Sequence, residues 1–365
     1  MKILLCFGTR PEAIKMAPII KELDRQHISY KVCVTAQHRE MLDQVLDFFE
    51  IIPDYDLSLM KTGQSLNSLS ASILNSIDPV LDDYKPDVAL VQGDTTTAAM
   101  VALGSFHKNI RIGHIEAGLR TYDKRSPFPE EANRQLISRL ADFHFAPTSD
   151  SKTNLENEMV DAKSILVTGN TVVDSLKWAI KKIDDQESEE IIKIKGLINE
   201  EKKLILVTGH RRENFGSGLK NICEALIDIS HLENVQIIYL LHLNPNVSGP
   251  VKEILGKVKN ICLIPPVTYP TMIFLMQKCD LIISDSGGIQ EEAPSFNKQV
   301  LVTRNHTERM EGIKGGFCYL VGTNSSVIVQ KAKEVLTNPT NNLDKVNPYG
   351  DGSASQKIIE FLKIK

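Results

Sequence analysis

The segment SDSGGIQEEAPS, residues 284–295, has the residue types that hold phosphate groups in many nucleotide-binding proteins. A buried strand is predicted to end just before Ser286, Gly287 and Gly288, and a helix to begin there. Backbone N–H groups and the positive end of the helix dipole would then point at a ligand, which the glycines allow to approach closely. Glu292, one turn on, can bond ribose hydroxyls. The alternative is an ordinary glycine turn before an acidic helix; the Walker pattern GxxxxGK[ST] is absent.

Two other turns place a basic side chain after a glycine at the end of a predicted strand. Arg10 follows Gly8 in FGTRPEA, and His210 follows Gly209 in TGHRREN. Because the two turns occupy matching places in the two halves of the chain, they can clamp a diphosphate from both sides. The alternative is that basic residues after strands are common at protein surfaces. Neither turn contains GxGxxG, which argues against a bound dinucleotide for hydride transfer.

Carboxylates lie at three predicted strand or helix ends in the first half. Asp94 follows the strand in VQGDTTTAA, Glu116 ends the strand in RIGHIEA, and Glu130 follows PFP at a predicted helix start, with Arg134 one turn on. Each has a local alternative, since Asp94 can cap the next helix and helix starts favour Glu. Three carboxylates at one edge of a sheet are nevertheless the arrangement from which acid and base groups are built. The charged residues 123–125, between Glu116 and Glu130, are interpreted as a solvated loop.

The elements that must position these residues alternate between short apolar runs and helix-length segments, which is typical of parallel sheets with crossover helices. The predicted strands are KILLCF, YKVCVTA, DVALVQG, RIGHIEA, FHFAP and SILVTG in the first half, and KLILVTGHR, VQIIYLLH, ICLIPPV, LIISDSGG and QVLVTR in the second. The fold class is therefore α/β, with two Rossmann-like, doubly wound parallel-sheet domains facing a central cleft. The predicted domains are residues 1–183, with most acid and base groups, and residues 184–345, with the nucleotide site. Residues 346–365 are expected to form a serine-capped helix packed on the first domain.

Composition excludes several function classes. The chain has 365 residues, 42% hydrophobic and 24% charged, with a net charge of -4, which gives no general attraction to nucleic acid or anionic membranes. Its six cysteines form no CxxC pair, its nine histidines include no HExxH, and no GxSxG is present. We therefore expect no metal, no serine nucleophile and no disulfide framework. The N-terminus resembles no signal peptide and no apolar run is long enough to span a membrane, so a cytosolic location is expected.

The motifs together resemble the bacterial non-hydrolysing UDP-N-acetylglucosamine 2-epimerases. The resemblance covers nearly the whole chain, in order, through FGTRPEAIKMAP, VTAQHREMLDQV, GDTTTAA, HIEAGLRT, PFPEEANR, GNTVVD, VTGHRREN, HLNPNV, SDSGGIQEEAPS, TERMEG and NPYGDG. It implies the glycosyltransferase B-type architecture and the interconversion of UDP-GlcNAc and UDP-ManNAc for bacterial surface polysaccharides. It implies no cofactor.

The resemblance also implies roles for individual residues. UDP would be eliminated to leave a bound 2-acetamidoglucal and then be added back. The implied catalytic residues are Asp94, Glu116, Glu130 and His210. The implied substrate-binding residues are Arg10, Lys15, Arg134, Ser286, Gly287, Gly288 and Glu292.

A second UDP-GlcNAc site, which activates family members, is implied at Gln37, Gln64 and His242. Glu40 and Gly63 stand where some members have Gln and Arg, so part of that site differs here. The resemblance further implies a homodimer, and it implies neither nucleic acid nor membrane as a partner.

Three alternatives remain open at this point. A hydrolysing 2-epimerase would release free ManNAc and UDP. A glycosyltransferase of the same fold would pass the sugar to an acceptor, because fold does not determine function. A nucleotide-sugar sensor would bind UDP-GlcNAc without changing it.

Overall fold

The computed structural model describes residues 1–36, 39–60, 63–209, 211–337 and 345–365. The chain forms two compact units, an N-terminal unit of Met1–Ser175 with Tyr349–Lys365 and a C-terminal unit of Leu176–Pro348. The division falls within the helix Thr171–Asp185, whereas the sequence analysis placed a boundary after residue 183. None of the helices in the described ranges is both long and apolar enough to cross a bilayer.

The N-terminal unit is built on one parallel sheet. Its strands are β1 (Lys2–Phe7), β2 (Ser29–Val34), β3 (Tyr55–Asp56), β4 (Val88–Gln92), β5 (Arg111–Ile115), β6 (Phe143–Ala146) and β7 (Ile165–Val167). Their order across the sheet is β3-β2-β1-β4-β5-β6-β7. The chain therefore runs outward in both directions from the central pair β1 and β4, and the connections after these two strands diverge. In open α/β sheets a ligand binds at such a divergence, beyond the carboxyl ends of the strands.

Helices connect these strands and cover the sheet. They are α1 (Arg10–Arg25), α2 (Arg39–Phe49), α3 (Leu66–Tyr84), α4 (Thr96–His107), α5 (Glu130–Leu140), α6 (Ser149–Asn157) and α7 (Thr171–Asp185). The central strands are buried along their length, as in β4, where every residue is buried, because helices cover both faces of such sheets. The nearly continuous apolar runs of the sequence reflect this burial.

The C-terminal unit repeats the same plan. Its strands are β8 (Lys203–Thr208), β9 (Val235–Leu240), β10 (Ile261–Ile264), β11 (Leu281–Ser284), β12 (Val300–Val302) and β13 (Cys318–Leu320). Its helices beyond α7 are α8 (Glu189–Lys195), α9 (Ser217–Ser230), α10 (Pro245–Leu255), α11 (Tyr269–Lys278), α12 (Gly287–Glu292), α13 (Met310–Lys314) and α14 (Ser325–Thr337). The parallel order β10-β9-β8-β11-β12-β13 diverges between β8 and β11. The two Rossmann-like parallel sheets confirm the predicted α/β class with two doubly wound units.

The last helix, α15 (Ala354–Ile364), belongs to the N-terminal unit and contacts α1. The expected serine cap is wrong, since Ser353 occupies the N-cap position without a side-chain capping bond. Asp174 of α7 supplies the cap instead. Its Oδ2 accepts from the backbone N–H of Ala354 at 3.2 Å, and its Oδ1 accepts from the N–H of Ser355 at 2.8 Å. Burial raises the pKa of Asp174, while the hydrogen bonds from Ser355 and Ala354 lower it.

We therefore expect Asp174→Ala to lower the free energy of unfolding by about 1–3 kcal/mol, because two buried N–H groups lose their acceptor. Ser353→Ala is the matched control and should cost less than about 0.5 kcal/mol. Urea unfolding, with amide exchange at Ala354 and Ser355, measures both. Equal losses in the two variants would contradict the assignment of the cap to Asp174.

Candidate active site

Glu116 is the side chain on which several elements of the N-terminal unit converge. It directly follows β5 with a backbone φ of 65°, a left-handed conformation that is uncommon for a residue with a side chain. Its Oε1 forms an ion pair with Lys15 Nζ of α1 and accepts from Asn170 Nδ2 at 3.2 Å. Its Oε2 accepts from Nε2 of Gln92, the last residue of β4. The Glu116 and Lys15 side chains are only 8% and 9% exposed, so removing either one would leave a buried charge without this partner.

Asp94 lies two residues beyond β4 and is paired with Arg134 of α5. Its Oδ2 accepts from Arg134 Nε at 2.8 Å and lies 2.6 Å from Nη2. The Asp94 side chain is 25% exposed and that of Arg134 only 5%, so the pair presents its carboxylate side to solvent. The capping role considered for Asp94 is wrong, because Thr95 Oγ1 caps α4 by accepting from Ala98 N–H at 3.0 Å.

Two neighbouring glutamates begin α5 and differ in burial. Glu130 is half-buried at the first helical position, whereas Glu131 is fully buried. The Glu131 carboxylate accepts from the backbone N–H of Thr121 at 3.0 Å and lies 3.2 Å from Arg134 Nη1. Glu131 thus supports the Arg134 guanidinium and anchors the loop after β5. Glu131 was not predicted as a site residue, because two adjacent glutamates at a helix start give no signal of which one faces the interior.

The turns that carry Asp94 and Glu116 are neighbours. The Gly93 N–H donates to the Ile115 carbonyl at 2.9 Å, and a Cβ atom on Gly93 would lie 3.4 Å from Glu116 Oε2. Behind the turn, the Nε2 of His114 donates to the Gly93 carbonyl at 2.7 Å. Burial lowers the pKa of His114 to about 3, so this ring is neutral and structural. The structure therefore brings two predicted acid-base residues to adjacent strand ends.

In the C-terminal unit, Asp285 joins the end of β11 to the segment that follows β8. This buried carboxylate accepts at Oδ2 from the Arg211 N–H at 2.9 Å and from Asn214 Nδ2 at 3.2 Å. Ser286 occupies the N-cap position of α12 without a side-chain capping bond, and Gly288 is exposed. The first N–H groups of a helix have no acceptor within the helix. The phosphate contact of Ser286, Gly287 and Gly288 stays a prediction.

Arg309 packs directly over this turn. A Cβ atom on Gly287 would lie 2.6 Å from the guanidinium carbon of Arg309. The guanidinium is fixed by Glu291, whose Oε1 accepts from Arg309 Nε at 2.7 Å, and by an ion pair with Glu308. Glu292, the predicted ribose ligand, ends α12 and is 8% exposed. Arg309 lies within the motif TERMEG and was not among the predicted site residues.

The remaining predicted residues are placed only in part. Arg10 is the first residue of α1 and is half-buried. Gln64 precedes α3, and His242 follows β9, where its Nδ1 accepts from the Asn244 N–H at 3.1 Å. His210 and Gln37 lie outside the described residues. Within the ranges that the structure describes, no group of three or more His, Cys, Asp or Glu side chains is arranged to hold a metal ion.

Comparisons with known proteins agree with one another. The sequence profile of the family described as UDP-N-acetylglucosamine 2-epimerase matches residues 21–363. The UDP-N-acetylglucosamine 2-epimerase of Salmonella typhimurium is 51% identical over 370 residues, covering all of this chain and 98% of the relative. These matches confirm the resemblance to UDP-N-acetylglucosamine 2-epimerases that was inferred from the motifs.

Two solved structures extend the comparison to the fold. One is the UDP-GlcNAc 2-epimerase of Neisseria meningitidis bound to UDP-GlcNAc, with a TM-score of 0.94, 47% identity and full coverage of both chains. The other is the UDP-GlcNAc 2-epimerase of Methanocaldococcus jannaschii in complex with UDP-GlcNAc and UDP, with a TM-score of 0.86, 32% identity and full coverage of both chains.

The contact between Arg309 and Gly287 leads to a stability prediction. Gly287→Ala should lower the free energy of unfolding by about 1–3 kcal/mol, because the added methyl group displaces the guanidinium from Glu291. Gly288→Ala is the matched control, since its Cβ would meet no heavy atom nearer than 3.9 Å; it should be neutral or stabilising by up to about 1 kcal/mol.

A double-mutant cycle with Arg309→Ala checks the cause of this loss. In that background the cost of Gly287→Ala should largely disappear. An undiminished cost would show that the methyl group conflicts with something other than the guanidinium.

Proposed function

Because the chain belongs to the UDP-N-acetylglucosamine 2-epimerase family, we propose that it interconverts UDP-GlcNAc and UDP-ManNAc without releasing free sugar. The observation that carries this proposal is the placement of two carboxylates, Asp94 and Glu116, on adjacent strand ends of one sheet, each held by a cation. A nucleotide-sugar ligand is supported by the Neisseria relative, which was solved with UDP-GlcNAc. In this chain, the diphosphate of the same ligand would contact the backbone N–H groups of the Ser286 turn.

The proposed route is elimination followed by re-addition. The hydrogen on C2 of the sugar is not acidic enough for direct removal, so the C1–O bond to UDP breaks and its electron pair leaves with UDP. Loss of the C2 proton to an enzyme base then gives 2-acetamidoglucal. Re-addition of UDP at C1, with a proton delivered to the opposite face of C2, completes the inversion. The step needs an anion cradle for UDP and acid-base groups near C2.

This chain contains groups suited to both tasks. For the departing diphosphate we assign Arg10 and the N–H groups of the Ser286 turn, together with His210, with Glu292 on the ribose. For the sugar we assign Asp94, Glu116 and Glu130 as the acid-base set. We assign Lys15, which pairs with Glu116, and Arg134, which pairs with Asp94, to substrate binding. Oxocarbenium character at C1 would be stabilised by the same carboxylates. The proposed domain roles follow, with acid-base residues in residues 1–183 and the nucleotide site in 184–345.

We further propose that UDP-GlcNAc activates the enzyme at a second site containing Gln37, Gln64 and His242, that the chain forms a homodimer, and that its product supplies surface polysaccharide. These statements derive from the family resemblance.

The reaction is tested by incubating the protein with UDP-GlcNAc in D2O and following the products by NMR. We expect UDP-ManNAc with deuterium at C2 and no accumulation of free ManNAc, because UDP is added back. Free ManNAc with stoichiometric UDP would identify a hydrolysing enzyme. Unchanged substrate without deuterium would favour a sensor or a glycosyltransferase.

The carboxylate roles are tested by Glu116→Gln and Asp94→Asn. Each should lower kcat by about 10²- to 10⁴-fold, the usual contribution of an acid-base group. The Kd for UDP should stay within about tenfold, or roughly 1.4 kcal/mol. Asp123→Asn, in the exposed loop that follows Glu116, is the control and should retain full turnover. Near-normal turnover in either test variant would remove that residue from the catalytic set.

A further inference from the structure

A buried carboxylate occupies the turn between β1 and α1, where Rossmann-like units often bind phosphate. The side chain is that of Glu12, which is 1% exposed. Its Oε2 accepts from the N–H groups of Gly8 at 3.0 Å and Thr9 at 2.8 Å, and from the Thr9 hydroxyl at 2.7 Å. The donors that would face an external anion are therefore already used by an anion of the chain itself.

The second oxygen of the same carboxylate reaches a different element. Glu12 Oε1 accepts from the Thr95 hydroxyl at 2.7 Å, and Thr95 is also the N-cap of α4. One buried group thus ties the turn after β1 to the turn after β4, the two central strands between which the sheet diverges. Burial raises the pKa of Glu12, whereas the hydrogen bonds from Thr95, Thr9 and Gly8 lower it.

Each of the joined turns carries a residue assigned to the reaction. Arg10 directly follows Thr9, and Asp94 directly precedes Thr95. Because Arg10 begins α1 and Asp94 lies just before α4, a shift of one turn against the other changes the distance between the two side chains. A misplacement of about 1 Å at a reacting centre can cost about 10²-fold in rate.

We propose that Glu12 is a positioning residue: its carboxylate is a built-in anion that takes the place of a phosphate at the β1–α1 turn and holds Arg10 in register with Asp94. This role rests on the proposed function of those two residues.

The alternative to a positioning role is a purely structural one, in which Glu12 only stabilises the start of α1 through its capping interaction with Thr9. That role predicts a loss of stability with unchanged kcat and KM in the folded protein. Positioning predicts a loss of kcat in variants that remain folded. It also predicts that restoring an anion at the turn restores turnover.

The first test removes the hydrogen bond between Thr95 and Glu12 while leaving the Glu12 carboxylate at the β1–α1 turn. Thr95→Ala removes the hydroxyl that joins α4 to Glu12, while Thr95→Ser retains it. In the UDP-GlcNAc assay we expect kcat to fall about tenfold or more in Thr95→Ala. Thr95→Ser should keep kcat within about twofold, because the same hydrogen bond can form. Equal kcat values in the two folded variants would overturn the proposal.

The second test restores the anion chemically. Glu12→Ala removes the carboxylate, and acetate is the probe for the space it leaves, with chloride at equal ionic strength as the comparison. Acetate should raise both the Tm and the kcat of Glu12→Ala and leave the wild type unchanged. The matched control is Glu22→Ala, which removes a carboxylate bonded to Arg25 at 2.8 Å on the same helix, and it should show full turnover and no acetate response. Acetate that raises Tm without kcat would support the structural alternative.

The wild-type protein in the same assay keeps this proposal distinct from the proposed function. If the wild type is active, but the two Thr95 variants have equal kcat values and acetate does not rescue Glu12→Ala, only the role of Glu12 is overturned. Absence of epimerisation in the wild type would overturn the proposed function. The specific acetate effect on the Tm of Glu12→Ala would then still decide whether the turn holds a built-in anion.

Discussion

The buried ion pair between Lys15 and Glu116 is the interaction on which the N-terminal site depends. It joins α1 to the residue after β5, and the amides of Gln92 and Asn170 bring the ends of β4 and of the β7–α7 turn to the same carboxylate. A buried pair of this kind adds little net stability, but removing one partner is costly because the other charge stays desolvated. The Glu116 carboxylate therefore joins its own turn to α1, to the end of β4 and to the β7–α7 turn. The same contacts maintain the strained backbone of Glu116.

Buried acidic side chains order the loops in both units. Glu131, Asp174, Asp285 and Glu12 each accept from backbone N–H groups of a turn or a helix start. Such groups need an acceptor when they are buried, and a carboxylate can satisfy two or three of them at once. Many of the acids near the strand ends are therefore structural. The acids proposed to face a ligand lie on loops that these buried carboxylates hold in place.

Much of the fold was predictable because strands covered on both faces leave a strong sequence pattern. The run KILLCF corresponds to β1 residue for residue, and the runs DVALVQG and RIGHIEA contain β4 and β5. β3 and β13 were not predicted; β3 has only two residues, which are too few to show a pattern. The cap of α15 was also predicted wrongly, because its acceptor, Asp174, lies 180 residues away in the chain.

The sequence by itself determined the two Rossmann-like units, the family and the residue types at the strand ends, because these follow from local periodicity and from motifs in order. Tertiary structure alone decided which acids face the interior. Glu130 and Glu131 are equivalent in sequence, yet only Glu131 is buried beneath Arg134. Likewise, nothing local shows that Glu12 reaches Thr95 or that Asn170 reaches Glu116. Hydrogen bonds between residues far apart in the chain depend on strand order, and strand order is set by packing the whole sheet.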